Sequence, residues 1–178
     1  MATATVGGLR PASIGLAESS LREPLRADTA ATRSLLTDEA EKRVRLPLRG
    51  RSLLFELSGD EPKWFYPTLS CFQQLLQLPE GWDSYGADVI TDEAIVGAAE
   101  ALVQLQLPFE APPPSVVPGS SGSVQLEWHA AGADVEIYVS PEGHLAAFLS
   151  DAGQELEFET LCGVAVAKLG QVLFRMAS

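Results

Sequence analysis

Between Ser123 and Thr160 apolar and polar side chains alternate with a period of two, and no other feature of the chain restricts its fold as much. Successive side chains of a strand point to opposite faces. SVQLEWH therefore puts Val124, Leu126 and Trp128 on one face, and DVEIYVS puts Val135, Ile137 and Val139 there. HLAAFLS adds Leu145, Ala147 and Leu149, and QELEFET adds Leu156 and Phe158. The connections SPEG and DAGQ suit hairpin turns, with Gly143 in the left-handed conformation. Pairing Trp128 with Val135, Val135 with Leu149 and Leu149 with Leu156 keeps every apolar row on one side. A one-residue slip would expose them all. The pattern predicts a four-stranded antiparallel meander.

The flanking segments change to a helical period. WFYPTLSCFQQLLQLP predicts a helix from about Pro67 to Gln77, with proline in the first turn and Pro79 forbidding continuation. Thr91 is a good N-cap for a second helix whose stripe is Ile95, Ala98, Ala99, Leu102 and Leu105. Leu161, Val164, Ala165, Leu169, Val172, Leu173 and Met176 mark a C-terminal helix able to cover the inner sheet face. SLLFEL reads as a short strand, and APPPSVVPGSSGS as a stiff, turn-rich connection. The expected fold class is α+β: two N-terminal helices, the four-stranded meander, and a C-terminal helix packed on one sheet face. Residues 1–44 read as a mobile N-terminal extension and residues 45–178 as a single α+β domain.

Charge is distributed unevenly. The 178-residue chain has a net charge of −12, yet residues 1–54 hold nine of its twelve Lys and Arg. The remainder is strongly anionic, which disfavours phosphate backbones and anionic lipid and suits a basic partner. The basic stretch Lys42, Arg43, Arg45, Arg49 and Arg51 is either a patch for nucleic acid or an acidic partner, or a solvated linker that lies against its own anionic body. No apolar run approaches a membrane span and no secretory signal opens the chain, so a cytoplasmic protein is expected. Cys71 and Cys162 read as two buried, reduced thiols. The familiar phosphate-cradling, nucleophile-elbow and dithiol motifs do not occur, and no cofactor is implied.

The same register makes the outward face legible. Glu127, Glu136, Phe148 and Glu157 fall in one row; His129, Asp134, Ser150 and Glu155 form a second; Gln125, Tyr138, Ala146 and Glu159 form a third. Like charges directly opposite, as at Glu127 and Glu136, cost stability. A basic partner, a cation, or the chain's own segment 42–51 would relieve them. The candidate partner-binding residues are therefore Glu127, Glu136, Glu157, Asp134, Glu155, Tyr138 and Phe148. A solvated polar face is the plain alternative. His129 beside Asp134 and Glu127 is the one constellation resembling a metal or acid/base site. In GWDSYGADVIT, Asp83 can accept backbone N–H bonds and Gly86 can take a positive φ, while Trp82 and Tyr85 bring large rings. This corner either sets the angle between the two helices, with Trp82 buried against the inner sheet face or near Trp128, or recognises a partner.

With GWDSYGA, a helix opening TDEAI, a proline-rich link and the strand bearing Leu126, Glu127 and Trp128, residues 75–150 resemble a group of small uncharacterised bacterial proteins. These carry a tryptophan-aspartate-glycine-alanine corner followed by a Leu-Glu-Trp strand. The resemblance implies a shared fold and no activity; Ser84 stands where the group's pattern leads one to expect glycine. The residues favour a non-enzymatic, acidic interaction module that binds a basic protein. Alternatives are an enzyme component built on His129, Asp134 and Glu127, an antitoxin- or immunity-like inhibitor, and nucleic-acid contact through residues 42–51.

Overall fold

A computed structural model describes residues 42–177 apart from 58, 106, 108 and 109. The extension expected over residues 1–44 lies outside the described residues up to position 41. Its last three residues begin a strand.

The chain runs β1 (Lys42–Pro47), β2 (Ser52–Leu57), α1 (Phe65–Leu75), α2 (Asp92–Leu105), β3 (Ser115–Pro118), β4 (Val124–Ala130), β5 (Ala133–Val139), β6 (Leu145–Asp151), β7 (Gln154–Phe158) and α3 (Gly163–Met176). β1 and β2 form a two-stranded sheet, and β3 to β7 form a five-stranded antiparallel sheet in sequential order. The α+β class holds, and the expected four-stranded meander is corrected to five strands preceded by a separate hairpin. The added strand, SVVP, lies inside the proline-rich link. Prolines precede it and Pro118 is its last residue, and a strand at a sheet edge tolerates the missing N–H because nothing there needs to receive it. Trp128 anchors the approach to this edge by donating its indole N–H to the Pro112 carbonyl at 3.1 Å.

The four strands read from the sequence pair in the expected register: Trp128 with Val135, Val135 with Leu149, and Leu149 with Leu156. Both tight two-residue turns place Ala-Gly pairs at positive φ, Ala131–Gly132 and Ala152–Gly153, as the twist of the flanking strands requires. Gly143 is left-handed, with φ 85°. Leu126, Val135, Ile137 and Val139 are buried on the inner face, where α2 lies on β4 and β5 and α3 lies on β5, β6 and α2. Close approach of α2 depends on small residues. At Gly97 an added Cβ would stand 2.7 Å from Val139 Cγ1 and 3.0 Å from the Gly143 carbonyl. Thr91 caps α2 as expected, its hydroxyl accepting the Ala94 N–H at 3.0 Å and donating to the Pro141 carbonyl at 2.7 Å.

The basic stretch is not a linker: it forms the β1–β2 hairpin. Leu46, Leu53, Phe55 and Leu57 are buried, and Phe55 meets Phe65 of α1 edge-on at 5.3 Å. The cysteines also differ from expectation. Both are free, Cys71 is half-buried and Cys162 is exposed. Cys162 precedes α3, where the Ala165 and Val164 backbone N–H groups hold its thiol below the usual range.

Candidate protein-interaction face

The outer sheet face is built by the pleat. Since Leu126, Trp128, Val135, Ile137 and Leu149 point to the helices, their neighbours Gln125, Glu127, Glu136, Tyr138, Phe148 and Ser150 are turned outward. Glu127 sits opposite Glu136, Glu136 opposite Phe148, and Phe148 opposite Glu157. Asp134 pairs with His129 and with Ser150, and Ser150 pairs with Glu155. All seven expected partner-binding residues therefore share one face, across β4 to β7. β3 widens that face at Ser115, opposite Glu127, and Val117, opposite Gln125. Sequence reasoning missed this contribution because prolines obscure the strand.

The carboxylates differ in how they are held. Glu136 accepts a hydrogen bond from the Gln125 side-chain amide at 2.9 Å. His129 lies between two acids, its Nδ1 2.8 Å from Asp134 and its Nε2 3.4 Å from Glu127. These two carboxylates raise the imidazole pKa above its ordinary value, Asp134 more than Glu127. With both ring nitrogens so engaged and the side chain exposed, the cluster is an open surface network. Among the described residues no group of three or more His, Cys, Asp or Glu is arranged to hold a metal ion. The side-chain carboxylates of Glu155, Glu157 and Glu159 accept no hydrogen bond and form no ion pair among the described residues.

A depression of about 290 Å³ interrupts the face. Ala146 pairs with Tyr138, so a methyl group occupies a position ringed by larger side chains. Tyr138, Phe148, Gln125, Glu136, Glu157 and Glu159 rise around it. The signal for it was present in HLAAFLS, where the outward positions are a small residue, an aromatic ring and a hydroxyl.

The hairpin's cations are engaged elsewhere. Lys42 pairs with Glu61 and Arg43 with Glu56, the latter at 3.2 Å. Arg49 donates its backbone N–H to Asp92 at 3.1 Å and a guanidinium N–H to the Ile90 carbonyl at 2.6 Å. Arg51 reaches Glu93 at 3.0 Å. The two acids in the first turn of α2 thus receive the two arginines that flank the hairpin turn. Arg45 is exposed and makes no such bond among the described residues. The basic stretch does fold onto its own body, but at α2 and along its own hairpin rather than on the sheet face.

The tryptophan corner closes on itself. Asp83 Oδ1 accepts the Tyr85 and Ala87 N–H groups at 2.8 and 3.0 Å, and these two bonds, Ala87 first, lower its pKa. Gly86 has φ 95° and Ser84 φ 68°, the latter in a region where glycine is favoured. Trp82 is half-buried and donates to the Asp88 carbonyl at 3.2 Å, so its ring serves the corner and is not buried in the way expected against the inner sheet or beside Trp128. Asp88 and Thr91 N–H groups bond the Ser120 and Gly122 carbonyls, joining corner to turn. Gly122 is required there: with φ 84°, an added Cβ would fall 2.7 Å from the Val89 carbonyl. Tyr85 stands at the tip, 94% exposed.

Comparison of the chain with protein-family models, with curated proteins and with solved structures finds no match. No helix among the described residues is long and apolar enough to cross a membrane.

Proposed function

We propose that the protein is a non-enzymatic, cytoplasmic interaction module whose outer sheet face docks a basic surface of another protein. One observation carries this reading. Glu127, Glu136, Glu157 and Glu155 are gathered on a face whose strands carry no lysine or arginine, and Lys42, Arg43, Arg49 and Arg51 of the hairpin pair instead with Glu61, Glu56, Asp92 and Glu93. Like charges set side by side on a sheet are destabilising. A basic partner turns that cost into attraction and accelerates encounter. Engagement of Lys42, Arg43, Arg49 and Arg51 with carboxylates of the same chain argues against nucleic-acid contact through the hairpin.

The test is titration of the full chain with an oligolysine peptide, followed by backbone amide NMR at low and high salt. Shifts should concentrate on β4 to β7 and fade as salt rises. Neutralising Glu127, Glu136 and Glu157 with glutamine should abolish them. A control carrying Asp60→Asn, Glu80→Gln and Glu100→Gln, with the same net charge, should bind like the unaltered chain. Equal losses in the two variants would mean that the protein attracts cations only through its overall charge, and would remove the proposal.

A further inference from the structure

Resting on that docking role, we infer that the depression over Ala146 is a seat for one arginine side chain of the partner, so that recognition depends on shape and ring contact as well as on charge. The depression of about 290 Å³ lies just under the range of small-molecule pockets and has room for a whole arginine side chain. Its lining is two-sided in chemistry. Tyr138, 42% exposed, and Phe148 supply aromatic surface. Glu157 faces Phe148 across β6 and β7, while Glu136 flanks Phe148 on the other side.

A cation over an aromatic ring gains from the ring quadrupole. Guanidinium is preferred to ammonium for three reasons: it is planar and can lie on a ring, it is more weakly hydrated and loses less on leaving water, and it presents a fork of N–H donors to a carboxylate. Glu157 and Glu159 have their acceptor capacity free among the described residues, whereas one Glu136 oxygen already receives the Gln125 amide. Glu157, directly opposite the Phe148 ring, is assigned as the acceptor of the fork. Glu136 supplies field, and the rings hold the plane. Ala146 is the residue that keeps the seat open, because any larger side chain at that outward position would fill it.

The probes are three capped tripeptides, acetyl-Gly-X-Gly-amide with X arginine, lysine or citrulline, added to the full chain and followed by backbone amide NMR. Arginine should shift the amides of Tyr138, Ala146, Phe148 and Glu157 and bind about fivefold more tightly than lysine. Citrulline, which keeps the planar shape without the charge, should give no saturable shift. Ala146→Leu should remove the preference for arginine while leaving the oligolysine response intact, and Tyr138→Ala should weaken arginine binding in the same direction. Equal binding of arginine and lysine, unaffected by Ala146→Leu, would overturn the arginine seat and leave the acidic docking face standing. If neither the tripeptides nor oligolysine bind the face, the seat and the docking role are both refuted.

Discussion

Replacing Glu136 by glutamine should stabilise the fold while weakening its capacity to dock a cation, because the same charge is unfavourable within the chain and useful to the partner. Glu136 lies directly opposite Glu127 on the neighbouring strand, where Cβ atoms are about 5 Å apart. Two unit charges about 6 Å apart in a medium of dielectric roughly 60–80 repel by about 0.7–0.9 kcal/mol. Glutamine keeps a carbonyl oxygen able to accept the Gln125 amide donated to Glu136 at 2.9 Å, so the local hydrogen bond survives the change. His129 complicates the balance when protonated, since it stands 3.4 Å from Glu127. The measurement is therefore made above the pH at which the imidazole loses its proton. Urea unfolding in low salt should show a gain of about 0.5–1 kcal/mol with an unchanged m-value. In 1 M salt, where the screening length is about 3 Å, the gain should nearly vanish. A variant less stable than the parent in low salt, or a gain that persists in 1 M salt, would refute the argument that like charges on this face oppose one another.

Three further outcomes follow from particular contacts. Gly97→Ala gains about 1 kcal/mol of helix propensity but forces its new methyl against Val139 and the Gly143 carbonyl, so it should destabilise by about 1–2 kcal/mol net; in a cycle with Val139→Ala the two losses should sum to more than the loss in the double variant. Ser84→Gly should stabilise by about 0.5–1 kcal/mol, because Ser84 has φ 68° and glycine takes that conformation without the Cβ penalty; thermal unfolding checks it, and no gain would mean that the serine side chain compensates. The His129 imidazole should titrate above its ordinary midpoint, and removal of Asp134, the larger cause, should lower that midpoint more than removal of Glu127. Since the folded-state pKa is raised, this interaction stabilises the fold fully below the unfolded midpoint, and the contribution is lost as pH rises through the folded one; NMR of the ring protons reads it directly.

How far the fold could be read from the chain depended on whether local pattern and tertiary placement agreed. From Val124 to Phe158 each strand has one buried and one wet face, so a period of two specifies register, and the rows containing Trp128 and Glu136 follow from it. SVVP at 115–118 carries the same alternation over only four residues, and the flanking prolines signal a linker more strongly than two valines signal a strand. The stretch from Lys42 to Arg51 misled in a different way. Its cations dominate the composition, whereas the folding signal is Val44 and Leu46 on β1, opposite Phe55 and Leu53 on β2, which become a core only when α1 is beside them. At the corner, Asp83 was legible because an aspartate two residues before an amide that it can bond is a local device. The docking of the corner on the distant turn, through the Asp88 and Thr91 N–H groups and the Ser120 and Gly122 carbonyls, is a tertiary contact that no local pattern records.

The two borders of the large sheet are guarded by unlike means. β3 is only four residues long, ends in Pro118 and is approached through Pro112, Pro113 and Pro114, so that margin is blunted at any salt concentration by its shortness and its prolines. β7 has only Glu155 and Glu157, with Glu159 beyond its end, to keep a second molecule away. A guard made of ionised groups is conditional. Raising the salt concentration should screen it, and self-association should then begin strand to strand along β7 while the proline margin stays silent.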